Sequence, residues 1–433
     1  MKAFFIFIAM KIEQLYNLYK NSSGVSTDTR NIQKDNLFFS LSGDNFNGNK
    51  FAGEALEKGA VYSIIDDPQY KTSEHCILVK DVLLVLQELA HFHRRKLRAK
   101  FIAITGTNGK TTSKELMKAV LSTTFKTYAT EGNLNNHIGV PLTLLRISEE
   151  IEYAIIEMGA NHVGEIRAYC KIADPDMGII TNIGKAHLEG FKSPAGIKKA
   201  KGELYEYIKG SRGAAMVNID HPYLLQMAKG IDHIITYGTA SNADYPAKFI
   251  SANPFVKIEF EGTNIESRLV GKYNSENIIL AAAVGRYFNV RVGDIQKGIE
   301  QYTPGNNRSQ TIEKDSNTFI LDAYNANPSS VKAAIQSFSE MQGKQKVAVF
   351  GDMLELGKDS FTEHLQIAKL AEAGKFHKLI LVGNEFGAVA HKVEAIHFDS
   401  VADCKVWFDQ QYFTNTLFWI KGSRKIGLEI LIS

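Results

Sequence analysis

Residues 101–112 read Phe-Ile-Ala-Ile-Thr-Gly-Thr-Asn-Gly-Lys-Thr-Thr, and no other stretch of the chain restricts the fold as tightly. The short apolar run Phe101 to Ile104 predicts a strand. A helical pattern with Leu116, Met117, Val120 and Leu121 on one face follows. Between them lie Gly106, Thr107, Asn108, Gly109, Lys110, Thr111 and Thr112, so the unit reads as strand, phosphate loop and helix. The two glycines admit close backbone approach to phosphate oxygens, and a helix N-terminus supplies free N–H groups and a positive dipole end. Lys110 suits the β/γ charge of a nucleoside triphosphate, and the Thr111 hydroxyl suits Mg²⁺. Ile104 stands where the strict spacing places a glycine, which makes this a shortened relative of the standard loop. The bland alternative, a Gly/Asn-rich turn, does not account for Gly-Lys-Thr-Thr directly after an apolar strand.

At 433 residues the chain exceeds one ordinary core, and two or three domains are expected. A net charge of +3 gives no push towards nucleic acid or membrane surfaces, so phosphates would be met locally. Cys76, Cys170 and Cys404 are far apart and form no CxxC pair, which fits a reducing compartment; a cytoplasmic protein is expected. Residues 1–9 resemble a signal peptide briefly but lack a small-residue cleavage site. They read as an extension, with Met10 a candidate start. No other apolar run nears the length of a membrane span, so no membrane insertion is expected.

In chain order, residues 1–98 mix short strands and helices. Ser26, Asp28 and Arg30 form an early polar cluster, with Arg30 either a phosphate ligand or half of a surface Asp/Arg pair. The basic run from Arg94 to Lys100 reads as a solvated helix end and a domain boundary. From 99 to 308 strands alternate with helices, the mark of a doubly wound parallel sheet with ligands at the strand ends. Asn133, Asn135 and Asn136 lie in a loop of donors and acceptors, and Glu157 and His187 stand at two strand exits. Glu157 is placed either for Mg²⁺ or as a helix cap. Lys201 alone reads as a solvated helix residue. Residues 240–270 alternate apolar and charged side chains like an inserted β-rich segment, and Asn274 and Asn277 either cap the next helix or face a purine edge. A third α/β unit, 309–433, follows, with strands at Phe319–Leu321, Val347–Phe350, Leu379–Val382 and Leu417–Ile420.

The order of motifs resembles the Mur ligase family nearly end to end: STDTR at 26–30, GTNGKTT at 106–112, GNLNNHIGVPLTLL at 132–145, EMGANHVGEI at 157–166, TNIGKAHLEGF at 181–191, KAKGELY at 199–205, DAYNANPSS at 322–330, GDMLELG at 351–357 and KGSR at 421–424. The resemblance implies a small α/β domain for a UDP-sugar substrate (1–98), a central P-loop-type ATPase domain with a parallel sheet (99–308) and a C-terminal Rossmann-like domain (309–433). EMGANHVGEI with DAYNANP is similar to the member that joins D-alanyl-D-alanine to UDP-N-acetylmuramoyl-tripeptide with ATP, through an acyl phosphate. Folylpolyglutamate synthetase is the nearest rival, and a nucleotide-binding module without ligation is the rival of another class. By the resemblance, Lys110 and Thr111 bind ATP phosphates and Mg²⁺, and Glu157 and His187 hold a second metal region. Lys201 falls on a lysine that the family carbamylates, which turns a cation that would repel Mg²⁺ into an oxygen ligand. Asn277 would face adenine, and Arg308, Asp322, Tyr324 and Asn325 would meet ATP from the third domain. Ser26, Asp28 and Arg30 would serve the UDP sugar, and Asn133, Asn135 and Asn136 the acceptor side. Leu321 stands where members often carry a second acidic residue, which bears on the ribose contacts. A monomer is expected.

Overall fold

The computed structural model describes residues 11–186, 188–305, 307–343 and 345–432. The expectations for residues 1–9 and for His187 lie outside the described residues. The described residues pack as two units, one within 11–103, 128–158 and 167–176, the other within 104–127, 159–166 and 177–432.

In the first unit the strands Val25–Ser26, Leu37–Phe39, Tyr62–Ile65 and Cys76–Leu78 form a parallel sheet in that order. Leu37, Phe38 and Phe39 are all buried, the continuous apolar pattern of a strand covered on both faces. The helix Val82–Arg94 starts where the Asp81 carboxylate accepts the Leu84 N–H at 2.8 Å. Its end departs from the solvated reading. Arg94 is buried, donates from Nε to Ala173 O at 2.9 Å and from Nη2 to Asp174 O at 2.7 Å, and lies 3.8 Å from the Phe101 ring centroid. The cause is geometric: a planar guanidinium serves the carbonyls that the helix Glu165–Ala173 leaves open at its C-terminus while stacking on an aromatic face.

In the second unit the strands Met177–Ile180, Ala214–Asn218 and His233–Gly238 run parallel side by side. The β-rich segment expected near 240–270 is Tyr245–Ala252, Phe255–Phe260 and Thr263–Val270, paired antiparallel. The helix Lys110–Leu121 is clasped by Asn274–Tyr287 and Val292–Gln301. Glycines allow this: a Cβ on Gly285 would lie 2.4 Å from Val120 Cγ1, and one on Gly298 would lie 2.8 Å from Val120 Cα. The loop at the start of that helix is thereby fixed against a rigid support.

The second sheet of this unit has the order Gln310–Lys314, Asn317–Asp322, Thr416–Lys421, Gln345–Gly351, Lys378–Val382, Ile396–Phe398, with only the first pair antiparallel. The strands expected at 319–321, 347–350, 379–382 and 417–420 are its four inner members. Phe418, Trp419 and Ile420 are buried in succession, as a central parallel strand demands. Asp322, Asp352 and Lys421 gather at the carboxyl ends of these strands, the edge where such sheets take ligands.

Candidate active site

The loop after the strand Lys100–Thr105 is held by its own unit on every side. Gly106 has φ 143° and a Cβ there would lie 2.0 Å from Thr181 Oγ1; Gly109 has φ 80° and a Cβ there would lie 2.4 Å from Asn277 Oδ1. No side chain fits at either point, so the backbone is open to close approach at the N-terminus of the 12-residue helix Lys110–Leu121. Lys110 Nζ donates to Gly106 O at 2.9 Å and Thr107 O at 3.2 Å, so the ammonium lies folded over the loop. Thr107 Oγ1 accepts the Gly184 N–H at 2.9 Å. Asn277 lies beneath the loop and accepts from Ser113 Oγ at 3.0 Å. Neither Asn274 nor Asn277 caps its helix: Asn274 Nδ2 donates to Val270 O and Asn277 Nδ2 to Asn274 Oδ1.

The strand ends of the second sheet bring the 322–329 motif to the same loop. Asp322 pairs with Lys421 Nζ at 2.7 Å, and Lys421 also reaches Asn325 O at 3.2 Å. The Arg308 guanidinium stacks 3.7 Å from the Tyr324 ring centroid, with Arg424 5.3 Å from the same ring. Asn327 Nδ2 donates to Asn108 Oδ1 at 2.8 Å, and Asn108 Nδ2 donates to Ser329 Oγ at 2.9 Å. Sequence reasoning gave no role to Thr181, Asn182, Asn327, Ser329 or Lys421, although all lie inside motifs it singled out.

Lys201 overturns the solvated reading, because it is 2% exposed. Its ammonium reaches Ala160 O at 3.5 Å and lies 5.5 Å above the Phe191 ring, inside the helix Pro194–Ser211. Glu157, at the end of the strand Tyr153–Glu157, is buried and accepts from Asn135 Nδ2 at 2.8 Å. Asn136 Oδ1 accepts the N–H groups of Ile138 and Gly139, while Asn133 is exposed. Among the described residues no group of three His, Cys, Asp or Glu side chains could hold a metal by itself. The donors present still fit Mg²⁺ carried by a nucleotide, since phosphates and water then supply most of its oxygens and the protein adds one or two.

In the first unit Asp28 accepts the Arg30 N–H at 2.9 Å, and its carboxylate takes the Arg30 guanidinium at 2.7 to 3.1 Å. Those hydrogen bonds lower the Asp28 pKa to about 2. Ser26 Oγ donates to Asp28 O at 3.0 Å. A cleft of about 560 Å³ in the same unit is lined by Ser42, Asn45, Phe46, Lys50 and Asp67 among others, and Phe46 stacks on Phe51 at 5.5 Å. Phe46 and Lys50 were not singled out from sequence; an exposed Phe followed by Asn-Gly was the available signal.

A glycine-bounded phosphate loop between a strand and a helix, with a second parallel sheet presenting its strand ends to that loop, defines a nucleotide-binding α/β protein. Residues 21–94 match the Mur ligase family catalytic domain, 104–285 the Mur ligase middle domain and 307–412 the Mur ligase glutamate ligase domain. A UDP-N-acetylmuramoyl-tripeptide--D-alanyl-D-alanine ligase of Bacillus subtilis is 34% identical over 94% of this chain and 92% of its own length. The crystal structure of MurF from Acinetobacter baumannii superposes with a TM-score of 0.85 at 30% identity, covering 96% of both chains. MurF of Thermotoga maritima, solved with ADP, has the same fold, with a TM-score of 0.83 at 23% identity over 98% of this chain and 97% of that one. The chain belongs to the Mur ligase family, with the family's three α/β domains in succession, and its relatives over nearly its full length are the ligases that add D-alanyl-D-alanine.

Proposed function

We infer that this chain is an ATP-dependent ligase joining D-alanyl-D-alanine to UDP-N-acetylmuramoyl-tripeptide, with release of ADP and phosphate, in the synthesis of peptidoglycan precursors. The observation that carries the reading is the match of relatives with that one activity to 94% of the chain at 34% identity. The built phosphate loop supports its ATP dependence.

A carboxylate is a poor electrophile, and ATP supplies the phosphoryl group that turns the tripeptide's terminal carboxylate into an acyl phosphate. The amine of D-alanyl-D-alanine then attacks that carbonyl, and phosphate leaves. The chain's task is to bring two anions together and keep water away from the activated acid. In this reading Gly106, Thr107, Gly109, Thr112 and the amides around them cradle the phosphates, and Lys110 swings from its loop carbonyls onto the transferring charge. Mg²⁺ supplies charge neutralisation, with Thr111, Glu157, His187 and a carbamylated Lys201 as the residues that would hold it. Lys201 is buried, and a carbamate there would present oxygens to Mg²⁺ in place of an ammonium that repels it. Asn277, Arg308, Asp322, Tyr324 and Asn325 would complete the nucleotide site. Ser26, Asp28 and Arg30 would serve the UDP sugar, and Asn133, Asn135 and Asn136 the acceptor.

The domains would divide at 98/99 and 308/309, a reading supported by the matched spans 21–94, 104–285 and 307–412. No helix among the described residues is long and apolar enough to cross a membrane, and a cytoplasmic monomer is part of this proposal. The test is phosphate release from ATP with UDP-N-acetylmuramoyl-tripeptide, with and without D-alanyl-D-alanine, the product identified by mass. Release requiring both, with a pentapeptide product, supports the reading. Release with neither, or with a folate and glutamate pair instead, overturns it.

A further inference from the structure

Asn108 occupies the centre of the phosphate loop, and its amide, its carbonyl and its carboxamide all bond within the protein. Its N–H donates to Asn182 Oδ1 at 3.0 Å, and its carbonyl accepts from Thr181 Oγ1 at 2.6 Å and Asn182 Nδ2 at 3.2 Å. Its carboxamide is spent on the 322–330 motif: Oδ1 accepts from Asn327 Nδ2 at 2.8 Å and Nδ2 donates to Ser329 Oγ at 2.9 Å. Asn327 is equally committed. Its Oδ1 accepts the Ser330 N–H at 2.9 Å and the Ser329 hydroxyl at 2.8 Å, capping the helix Pro328–Glu340, and only its Nδ2 faces the loop. Each carboxamide therefore has one orientation that satisfies its partners. Ser329 Oγ would lie 2.8 Å from a Cβ on Gly184, so the strand exit at 181–185 is shaped to admit this helix start.

We propose that Asn327 and Ser329 are positioning residues for the ligation: they seat on Asn108 and hold the third domain's Asp322 and Tyr324, with Arg308 stacked on Tyr324, in register with the phosphate loop. Asn108 serves this seat rather than the nucleotide. The Asn108 amide, carbonyl, carboxamide oxygen and one carboxamide N–H are bonded within the protein, and these bonds fix its side chain towards the 322–330 motif. The seat also stiffens the loop, because the Asn108 N–H bond to Asn182 lasts only while the segment stays in place.

The capping oxygen and the bridging nitrogen belong to one side chain, and Asn327→Ser separates them. Serine caps as well as asparagine but does not reach Asn108. The thermal midpoint should move by less than about 2 °C, while amide exchange in the 104–112 peptide of the nucleotide-free protein speeds up by roughly tenfold. Unchanged exchange would overturn the proposal, and this arm does not depend on the ligase reading. The second arm rests on that reading. In wild-type protein that ligates, Asn327→Ser should lower kcat by roughly tenfold or more with KM for ATP within about threefold, and Asn108→Ser with Asn327→Ser should be no worse than either alone. Additive losses, or kcat within about twofold of wild type, would also overturn it. Should Asn327→Ser not fold, Ser329→Ala removes one bridge and leaves the Asn327 cap, with the same outcomes read. Wild-type protein that fails to ligate would sink the ligase reading and leave the exchange result standing.

Discussion

The phosphate loop and the Ser26–Arg30 turn are both short polar stretches that follow a strand, and they are held in opposite ways. In the loop, Asn108 bonds to residues 219 and 221 positions away. In the turn, Arg30 bonds to Asp28, two positions away, and its side chain is 84% exposed. The loop is shaped by the rest of its unit and is ready for a ligand before one arrives. The turn satisfies itself, and Arg30 must be drawn off Asp28 before it can serve an anion. Preorganisation of the first kind favours transition-state stabilisation, where reorganisation would be costly; the second kind suits a binding contact.

The largest effect is expected at Lys110, whose backbone is fixed by the loop although its ammonium must leave the Gly106 and Thr107 carbonyls. Lys110→Ala should lower kcat by roughly 10²–10³, the scale of removing one group that meets developing charge, with little change in KM for the UDP substrate. Loss confined to KM for ATP would mean that the ammonium binds the nucleotide without stabilising transfer. Gly109→Ala comes next. At φ 80°, with Cβ 2.4 Å from Asn277 Oδ1, the substitution should cost about 1–3 kcal/mol in denaturant unfolding and reduce activity with it. An unchanged unfolding midpoint would show that the loop yields easily, and the contrast with the turn would lose its basis.

Arg30→Ala tests the other side. An ion pair this exposed adds little to stability, so stability should hold while KM for the UDP substrate rises about tenfold and KM for ATP stays put. An unmoved KM for the UDP substrate would leave Arg30 as half of a surface pair, the alternative its sequence context already offered.

What could be read in advance follows the same division. Strand, loop and helix at 101–121 were legible because glycine placement and apolar periodicity are local signals. The partners of Asn108 were not, because a hydrogen bond across more than two hundred residues leaves no period in the chain. Lys201 was legible and misjudged. A lone Lys in a helix reads as solvated, yet the buried positions of its helix are Ile197, Ala200, Lys201, Glu203, Leu204, Tyr205 and Ile208, a stripe at helical spacing in which Lys201 takes its turn. The strands Gln310–Lys314 and Ile396–Phe398 went unseen because each lies at an edge of its sheet, one half polar and the other three residues long.

The smallest expected effect concerns pH. The pair at the turn does not titrate near neutrality, because Arg30 holds Asp28 at about 2 and its contribution is lost only as pH falls from the ordinary carboxylate range towards that value. The support of the loop does titrate. His221 Nε2 meets Glu276 Oε2 at 3.0 Å, at the start of the helix that carries Asn277, and this hydrogen bond raises the His221 pKa above its ordinary value near 6.5. The protonated form is thus favoured in the folded protein, so its contribution is complete below about pH 6.5 and fades as pH rises through the raised value. His221→Asn should lower the thermal midpoint by about 1 °C near pH 5.5 and by less near pH 8.5, a modest shift because His221 and Glu276 side chains are 26% and 39% exposed. A deficit that is equal at both pH values, or larger at the higher one, would remove the charged pair from the loop's support and leave packing alone beneath Asn277.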